Sequence, residues 1–338
     1  MKVNRKKFIE ALYFASLGVA SRYETLEQSN CIIFAGSDLI TFNDEIMTRS
    51  PSPLPEAITL AVLANELIKV VEGMPDDELE VNSTDTEMVI KGKRRSAGIT
   101  AQAEINLPYD AVPAPGKWSK LAEEVSGHLQ QAARTCGRNA NEELSTMVHV
   151  SPDLVEACDN WRFYRASIST GFQDEILVPG ASLLRLGKLK MKRVSISDGW
   201  IHFRTGAKQI VSVRCSYEPY HTELDQLLEM DGATEVKFPP NLNETITRTA
   251  IMIDAQDDPY VRVQLEDRQF VMEARKDVGW YRETRKIKYD GPDMIFDVQP
   301  VFLTEILQRA RTVLIIPEVK MKMEAEGIQF VVALNKGS

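Results

Sequence analysis

The sequence predicts an α+β protein built from three similar domains, each with two helices packed on antiparallel sheets. One observation is a recurrence at intervals of about 115 residues: 39–45 (LITFNDE), 154–160 (LVEACDN) and 268–274 (RQFVMEA) each follow an acidic residue, Asp38, Asp153 and Asp267. A period this long exceeds that of solenoid repeats and fits copies of a whole small domain. A second marker keeps step with the first, because Val62-x4-Leu67, Val178-x4-Leu183 and Val298-x4-Leu303 each open a short apolar-periodic segment. Strand-like pairs follow every marker. Three similar domains in one chain point to a symmetric assembly rather than to an active-site cleft.

Each third opens on one helix-period face. The first carries Phe8, Leu12, Ala15 and Val19, the second Trp118, Leu121, Val125, Leu129 and Ala132, and the third Leu242, Ile246, Ala250 and Ile253. These narrow faces belong to short helices covering one side of a sheet. Strands follow at Cys31–Ala35, Thr146–Val150 and Tyr260–Leu265, and second helices are expected near 63–72, 180–188 and 300–310. Val194–Phe203 reads as a hairpin, with alternation on both sides of Asp198-Gly199. Val319–Phe330 repeats that pattern around Glu326-Gly327, and Glu78–Ile90 is its less regular counterpart. Linkers fall at Pro108–Lys117 and Glu229–Ala233. The domains are therefore expected at 1–112, 113–230 and 231–338.

With 43% hydrophobic and 26% charged residues over 338 positions, the chain has the composition of a soluble globular protein with room for two or three domains. It has no apolar run long enough to span a membrane, and its basic start, Met1–Lys7, leads into no apolar signal core. A cytoplasmic location is expected. The four cysteines, Cys31, Cys136, Cys158 and Cys215, are scattered without a CxxC pair, which fits free thiols in a reducing compartment. A net charge of −9 argues against gripping nucleic acid with the whole surface, but leaves room for a basic patch on an acidic body.

No phosphate loop, dinucleotide fingerprint, HExxH or nucleophile elbow is present. The histidines, His128, His149, His202 and His221, stand at no metal-ligand spacing, and a lone histidine on a strand such as His202 reads as a packing residue. The acidic runs Asp76-Asp77-Glu78 and 254–258 sit beside prolines and read as solvated turns. Trp161 beside Arg162, Tyr164 and Arg165 fits a strand end at a domain boundary as well as it fits base stacking. The residues thus describe a non-enzymatic, multi-domain binding protein with no catalytic residue, no metal and no cofactor.

Several stretches resemble the DNA sliding clamp, the beta subunit of bacterial-type DNA polymerase III, as a divergent bacterial or phage member. Tyr289–Leu307 (YDGPDMIFDVQPVFLTEIL) is similar to that family's third-domain strand running into a helix. Thr249–Met252 and Tyr260–Val263 resemble the first helix end and following strand of the same domain. Ala157–Phe163 stands where the family carries A-T-D-G-H-R-L, Val178-Pro179 opens the middle domain's second helix, and Gln329–Leu334 resembles the terminal Y-V-V-M-P-M. The likeness covers essentially the whole chain. Departures cluster at one place: Cys158, Asn160 and Trp161 replace the family's residues, Tyr217-Glu-Pro219-Tyr220 shifts a proline by one position, and Ala333–Lys336 lacks Met-Pro-Met.

The resemblance implies a DNA clamp fold and a homodimeric ring of six domains, helices lining the hole. Such a ring acts as a processivity factor that encircles double-stranded DNA without reading its sequence and tethers the replicative DNA polymerase and a clamp loader. By resemblance, a partner-peptide cleft is lined by Leu144, Cys158, Asn160, Arg162, Phe163, Pro219, Val331, Val332, Ala333 and Leu334, although Phe163 and one of the two valines also read as core. DNA-facing candidates are Lys6, Lys7, Arg22, Lys69, Lys120, Arg134, Arg185, Arg248, Arg309 and Arg311, with Arg22 matching a family DNA-contacting arginine. Gly180 and Ala181 stand in place of a family lysine, and Arg185 lies one turn later. Ile251 and Met252 are the expected apolar anchors of the ring interface. Two alternatives stay open: a trimeric clamp geometry, and a metal-dependent nucleic-acid enzyme with an unrecognised carboxylate site.

Overall fold

The computed structural model describes residues 1–20, 26–139, 142–187, 189–220, 224–254 and 259–335. Seven helices are found among them: α1 (Arg5–Ala15), α2 (Ala64–Gly73), α3 (Val125–Thr135), α4 (Gly180–Leu186), α5 (Asp225–Leu228), α6 (Leu242–Thr249) and α7 (Pro300–Leu307). By packing, the chain separates into two compact units, residues 1–130 with 170–218 and residues 131–169 with 219–338. The division runs through the middle repeat because each half of that repeat continues a neighbour's sheet.

In the first unit a meander of Cys31–Gly36, Asp38–Phe42 and Ile46–Pro51 ends by pairing with Ile210–Arg214. The sheet then continues through Trp200–Arg204, Arg193–Ser197 and the two-residue strand Ser119–Lys120. The second unit follows the same plan. Its meander of Met147–Val150, Leu154–Cys158 and Arg162–Ser167 pairs with Ile328–Ala333, then Lys320–Ala325, Thr312–Ile316 and Thr234–Lys237. Each unit keeps a further set of four strands. In the first these are Lys2–Asn4, Glu78–Ser83, Glu87–Lys91 and Ser96–Gln102; in the second, Met294–Val298, Val261–Glu266, Gln269–Lys276 and Gly279–Lys286.

The recurrent motifs map onto this plan. Asp38, Asp153 and Asp267 each stand at the turn into the second meander strand. Val62, Val178 and Val298 lie near the end of a strand that runs directly into α2, α4 and α7, and Leu67, Leu183 and Leu303 are fully buried on those helices. Both hairpins form where expected. Asp198 (φ 43°) and Gly199 (φ 78°), and Glu326 (φ 52°) and Gly327 (φ 76°), supply the paired positive φ values that a two-residue turn needs to match strand twist.

The first-unit core shows why the helices form. Asn4 caps α1, its Oδ1 accepting the Lys7 N–H at 3.1 Å, and the helix buries Phe8, Leu12 and Ala15 against Ile32, Phe34, Leu67 and Val71. Each large apolar side chain so buried contributes about 1.5–3 kcal/mol. Arg5 faces α2, donating to Val71 O at 2.9 Å and Glu72 O at 2.7 Å, and so satisfies two carbonyls at that helix's open end. The middle repeat departs from the expected helix. Trp118 lies outside α3, its ring under the Arg204 guanidinium at 4.3 Å, and Ser119–Lys120 pairs with Arg193–Val194, so the helix starts only at Val125.

His202 is a packing residue, as its strand position suggests. It is 1% exposed, with Nε2 2.8 Å from Ser197 Oγ and Nδ1 2.8 Å from Ser212 Oγ. Burial pushes its pKa down to about 4. The unfolded imidazole binds its proton near pH 6.5, so stability is full above that value and is lost as the pH falls toward 4. The loss is about 3 kcal/mol at most. Urea unfolding at pH 7 and pH 4.5 is expected to show this acid sensitivity reduced in His202→Gln; an unchanged pH dependence would remove His202 as its source.

Candidate functional site

The second unit carries a pocket of about 800 Å³ at the turn between strands 154–158 and 162–167. The turn is built by Asp159, whose Oδ1 accepts the N–H groups of Trp161 at 2.8 Å and Arg162 at 2.9 Å. Arg162 then fixes the turn to its surroundings. Its Nε reaches Asp159 Oδ2 at 3.1 Å, its Nη1 reaches both Glu305 oxygens at 3.0 and 3.1 Å, and its Nη2 donates to Arg134 O. The guanidinium also lies over the Phe302 ring at 4.9 Å. A planar fork satisfied this way is geometry that only arginine supplies.

Behind the pocket, Cys158 N–H donates to Tyr220 Oη at 3.2 Å, and the Tyr220 ring packs on His149. Burial raises the pKa of both the Cys158 thiol and the Tyr220 hydroxyl. His149 Nδ1 stands 2.6 Å from Glu156 Oε1, Glu156 Oε2 holds Arg165 Nε at 2.7 Å, and Arg165 Nη1 reaches Asp225 Oδ1 at 2.6 Å. This chain ends on α5, a single turn too short to be stable alone. Lys320 Nζ donates to the carbonyls of Gln226 (3.2 Å) and Leu227 (3.0 Å), and Lys322 Nζ to Leu228 O (3.2 Å). Thus held, α5 presents Leu227, 40% exposed, to the pocket.

Of the expected cleft residues, Leu144, Cys158 and Asn160 line the pocket, and Arg162 braces it. Phe163, Val331, Val332 and Leu334 are buried and do not line the pocket, with Phe163 opposite Val331 across the strand pair. Ala333 donates its N–H to Trp161 O at 2.7 Å and thereby fixes the last strand to the turn. Pro219 is exposed and does not line the pocket. Sequence reasoning missed Glu142, Glu143, Leu224 and Leu227. The only available signal was the i, i+3 spacing of the two leucines.

The basic candidates fall into three groups. Lys6 and Lys7 on α1, Lys69 on α2 and Arg134 on α3 are exposed on helices, while Lys120 on its short strand and Arg309 and Arg311 beyond α7 are exposed off them. Arg185 and Arg248 are engaged by the protein itself. Arg185 is half-buried and donates to the carbonyls of Ser16 and Val19, closing the end of α1. Arg248 forms a two-pronged pair with Glu283, both contacts at 2.9 Å, and holds that carboxyl down to about 2. Arg22 lies outside the described residues.

Ile251, in the turn after α6, is 64% exposed, and Met252 is half-buried; Lys276 Nζ donates to Ile251 O at 2.9 Å. A second, larger groove of about 1060 Å³ lies at the end of the α6–α7 layer, between Lys237–Pro240, 267–269 and 284–288, with Arg311 on its rim. Among the described residues, no group of three or more His, Cys, Asp or Glu side chains is placed to hold a metal ion, and no helix is long and apolar enough to cross a membrane.

No protein-family model matches the sequence, and no curated protein matches it. Solved structures do match. A beta chain of DNA polymerase III from Streptococcus pneumoniae superposes with a TM-score of 0.86 at 16% identity, covering 99% of each chain. The DNA polymerase sliding clamp of Bacillus subtilis gives 0.85 at 13% identity over 100% of this chain and 99% of its own. A putative DNA polymerase III beta subunit from Eubacterium rectale gives 0.83 at 16% identity over 99% of each. From first strand to last, the chain has the fold of the bacterial DNA polymerase sliding clamps.

Proposed function

We propose that two copies of this chain close head to tail into a ring around duplex DNA, and that the ring acts as a replicative sliding clamp. The observation that carries this reading is the unfinished state of two sheets. Twice within the chain a meander's outer strand is completed by a last strand from another repeat, 46–51 by 210–214 and 162–167 by 328–333. Among the described residues, the third meander's outer strand, 279–286, pairs only with 269–276, and strand 96–102 meets a second neighbour only at Ala101 and Gln102. Open edges of this length invite pairing. One copy's leftover edge is the partner that the other copy's lacks, and the exposed Ile251 lies beside it. Six repeats result, divided by the linkers near 112 and 230.

Encirclement needs no tight grip, so a modestly basic inner face on an acidic body suits sliding. Lys6, Lys7, Lys69 and Arg134, exposed on their helices, are the cations that supply it. The 800 Å³ pocket would seat a short peptide with apolar anchors from a replicative polymerase or a clamp loader, against Leu144, Leu224 and Leu227. The test is topological. Rings opened by dilution and reclosed with a nicked circular plasmid are expected to co-elute with it in high salt and to be released when it is linearised. Release from the circle at the same rate as from the linear form would overturn the reading.

A further inference from the structure

One of the chain's own junctions supplies a register for the two open edges. In the second unit, Phe163 faces Val331. Within its hairpin Phe163 lies opposite Cys158, five residues earlier, and Val331 lies opposite Lys322, nine earlier. The same offsets recur at the open edges: Trp280 lies opposite Arg275, five earlier, and Gly98 opposite Val89, nine earlier. Transposed, Trp280 faces Gly98 of a second copy, Tyr281 faces Ala97 and Arg282 faces Ser96. The faces agree. Trp280, 59% exposed, and Gly98 both lie on the solvent side, whereas Tyr281 and Ala97 are half-buried on the core side. A one-residue slip would mix those faces. In this register the indole meets Gly98, which adds no side chain of its own, beside the Glu87 side chain that lies over it from the neighbouring strand.

The same register carries the turn 92–95 of the second copy toward Thr284–Lys288, which walls the larger groove. The turn and the residue before it bring Lys91, Lys93, Arg94 and Arg95, all exposed. The groove brings Lys237, Arg285, Lys286, Lys288 and Arg311. Of the acids nearby, Glu283 is committed to Arg248 and Asp290 to Arg268, while Asp267, exposed on the groove's wall, offsets one of these cations. Among the described residues, Lys93, Arg94, Arg95, Lys286, Lys288 and Arg311 have no carboxylate within ion-pair distance in the single chain. Cations from two copies thus converge on one compact groove in a protein of net charge −9. They repel unless an anion lies between them.

Building on the ring closure above, we propose that the edges join in the Trp280–Gly98 register and that each junction binds the phosphate chain of a small molecule of the nucleoside-triphosphate type. The groove's compact volume fits a small ligand rather than a strand track. Two measurements on the full-length chain test the proposal. Arg282→Cys with Ser96→Cys is expected to form a disulfide-linked dimer on oxidation, and Arg282→Cys with Gly98→Cys is not, because only the first pair is directly opposed. The reverse result overturns the register while leaving the two-chain ring standing.

Sedimentation then tests the anion site. Inorganic tripolyphosphate, at matched ionic strength, is expected to lower the dimer dissociation constant about tenfold. Lys93→Glu/Arg94→Glu/Arg95→Glu is expected to tighten the dimer without ligand and to abolish that response. A response within twofold, or one given only by a short single-stranded oligonucleotide, overturns the site. A wild-type chain that stays monomeric at micromolar concentration overturns the ring reading and this proposal together.

Discussion

Arg162→Ala is expected to lower the unfolding free energy of the second unit by about 3–5 kcal/mol, the range for removing one partner of a buried ion pair. The side chain is 13% exposed, and its acidic partners Asp159 and Glu305 are 16% and 19% exposed, so water restores little of what is lost. The alanine variant leaves Glu305 facing a cavity on α7, frees Arg134 O and uncovers the Phe302 ring. Arg162→Lys is expected to recover little of the loss, because an ammonium cannot span Asp159, Glu305 and Arg134 O from one position. Urea unfolding checks this. A loss below about 1 kcal/mol would place the pair among ordinary surface bridges. Pairing the substitution with Glu305→Gln separates the ion pair from packing, since the double variant should lose much less than the sum.

Arg162 also shows where the sequence was legible and where it was not. Its place after Ala157–Asn160 drew attention to the right turn, because tight turns leave local signals such as the Asx residue Asp159. The partners that give it a role, Glu305 and Arg134, lie far away in sequence and leave none. The same holds for the helix cations. Arg185 and Arg248 are DNA-facing candidates in the sequence, and only the folded chain brings Ser16 O, Val19 O and Glu283 to them. α5 escaped notice because its stability comes from Lys320 and Lys322, more than ninety residues further along.

The repeat was legible for the opposite reason. Val-x4-Leu spans a strand entering a helix, and both residues are buried in every copy, so local pattern and tertiary packing select the same residues. Trp118 and Leu121 misled by fitting a helical period while lying outside the helix. Leu121 is buried at 3% next to a two-residue strand, and short apolar spacings do not distinguish these cases.

Ile251→Asp is expected to raise the dissociation constant of the assembled ring by two to three orders of magnitude, about 3–4 kcal/mol, while leaving the fold of each chain unchanged. Ile251 is 64% exposed, so the single chain gains little from it. Its backbone is nonetheless fixed by Lys276, beside the open strand 279–286. Covering that side chain in a junction contributes about 1.5–3 kcal/mol, and a carboxylate in its place adds the cost of stripping water from a charge. Tyr13→Asp serves as the control, since Tyr13 is 50% exposed on α1 and belongs to neither open strand, and its loss should not move the oligomer. Sedimentation from micromolar to nanomolar concentration distinguishes the outcomes. A dimer that survives dilution in Ile251→Asp as well as in wild type would detach the interface from this turn, whereas a shift confined to Ile251→Asp would establish that the open edge and its apolar neighbour act as one surface.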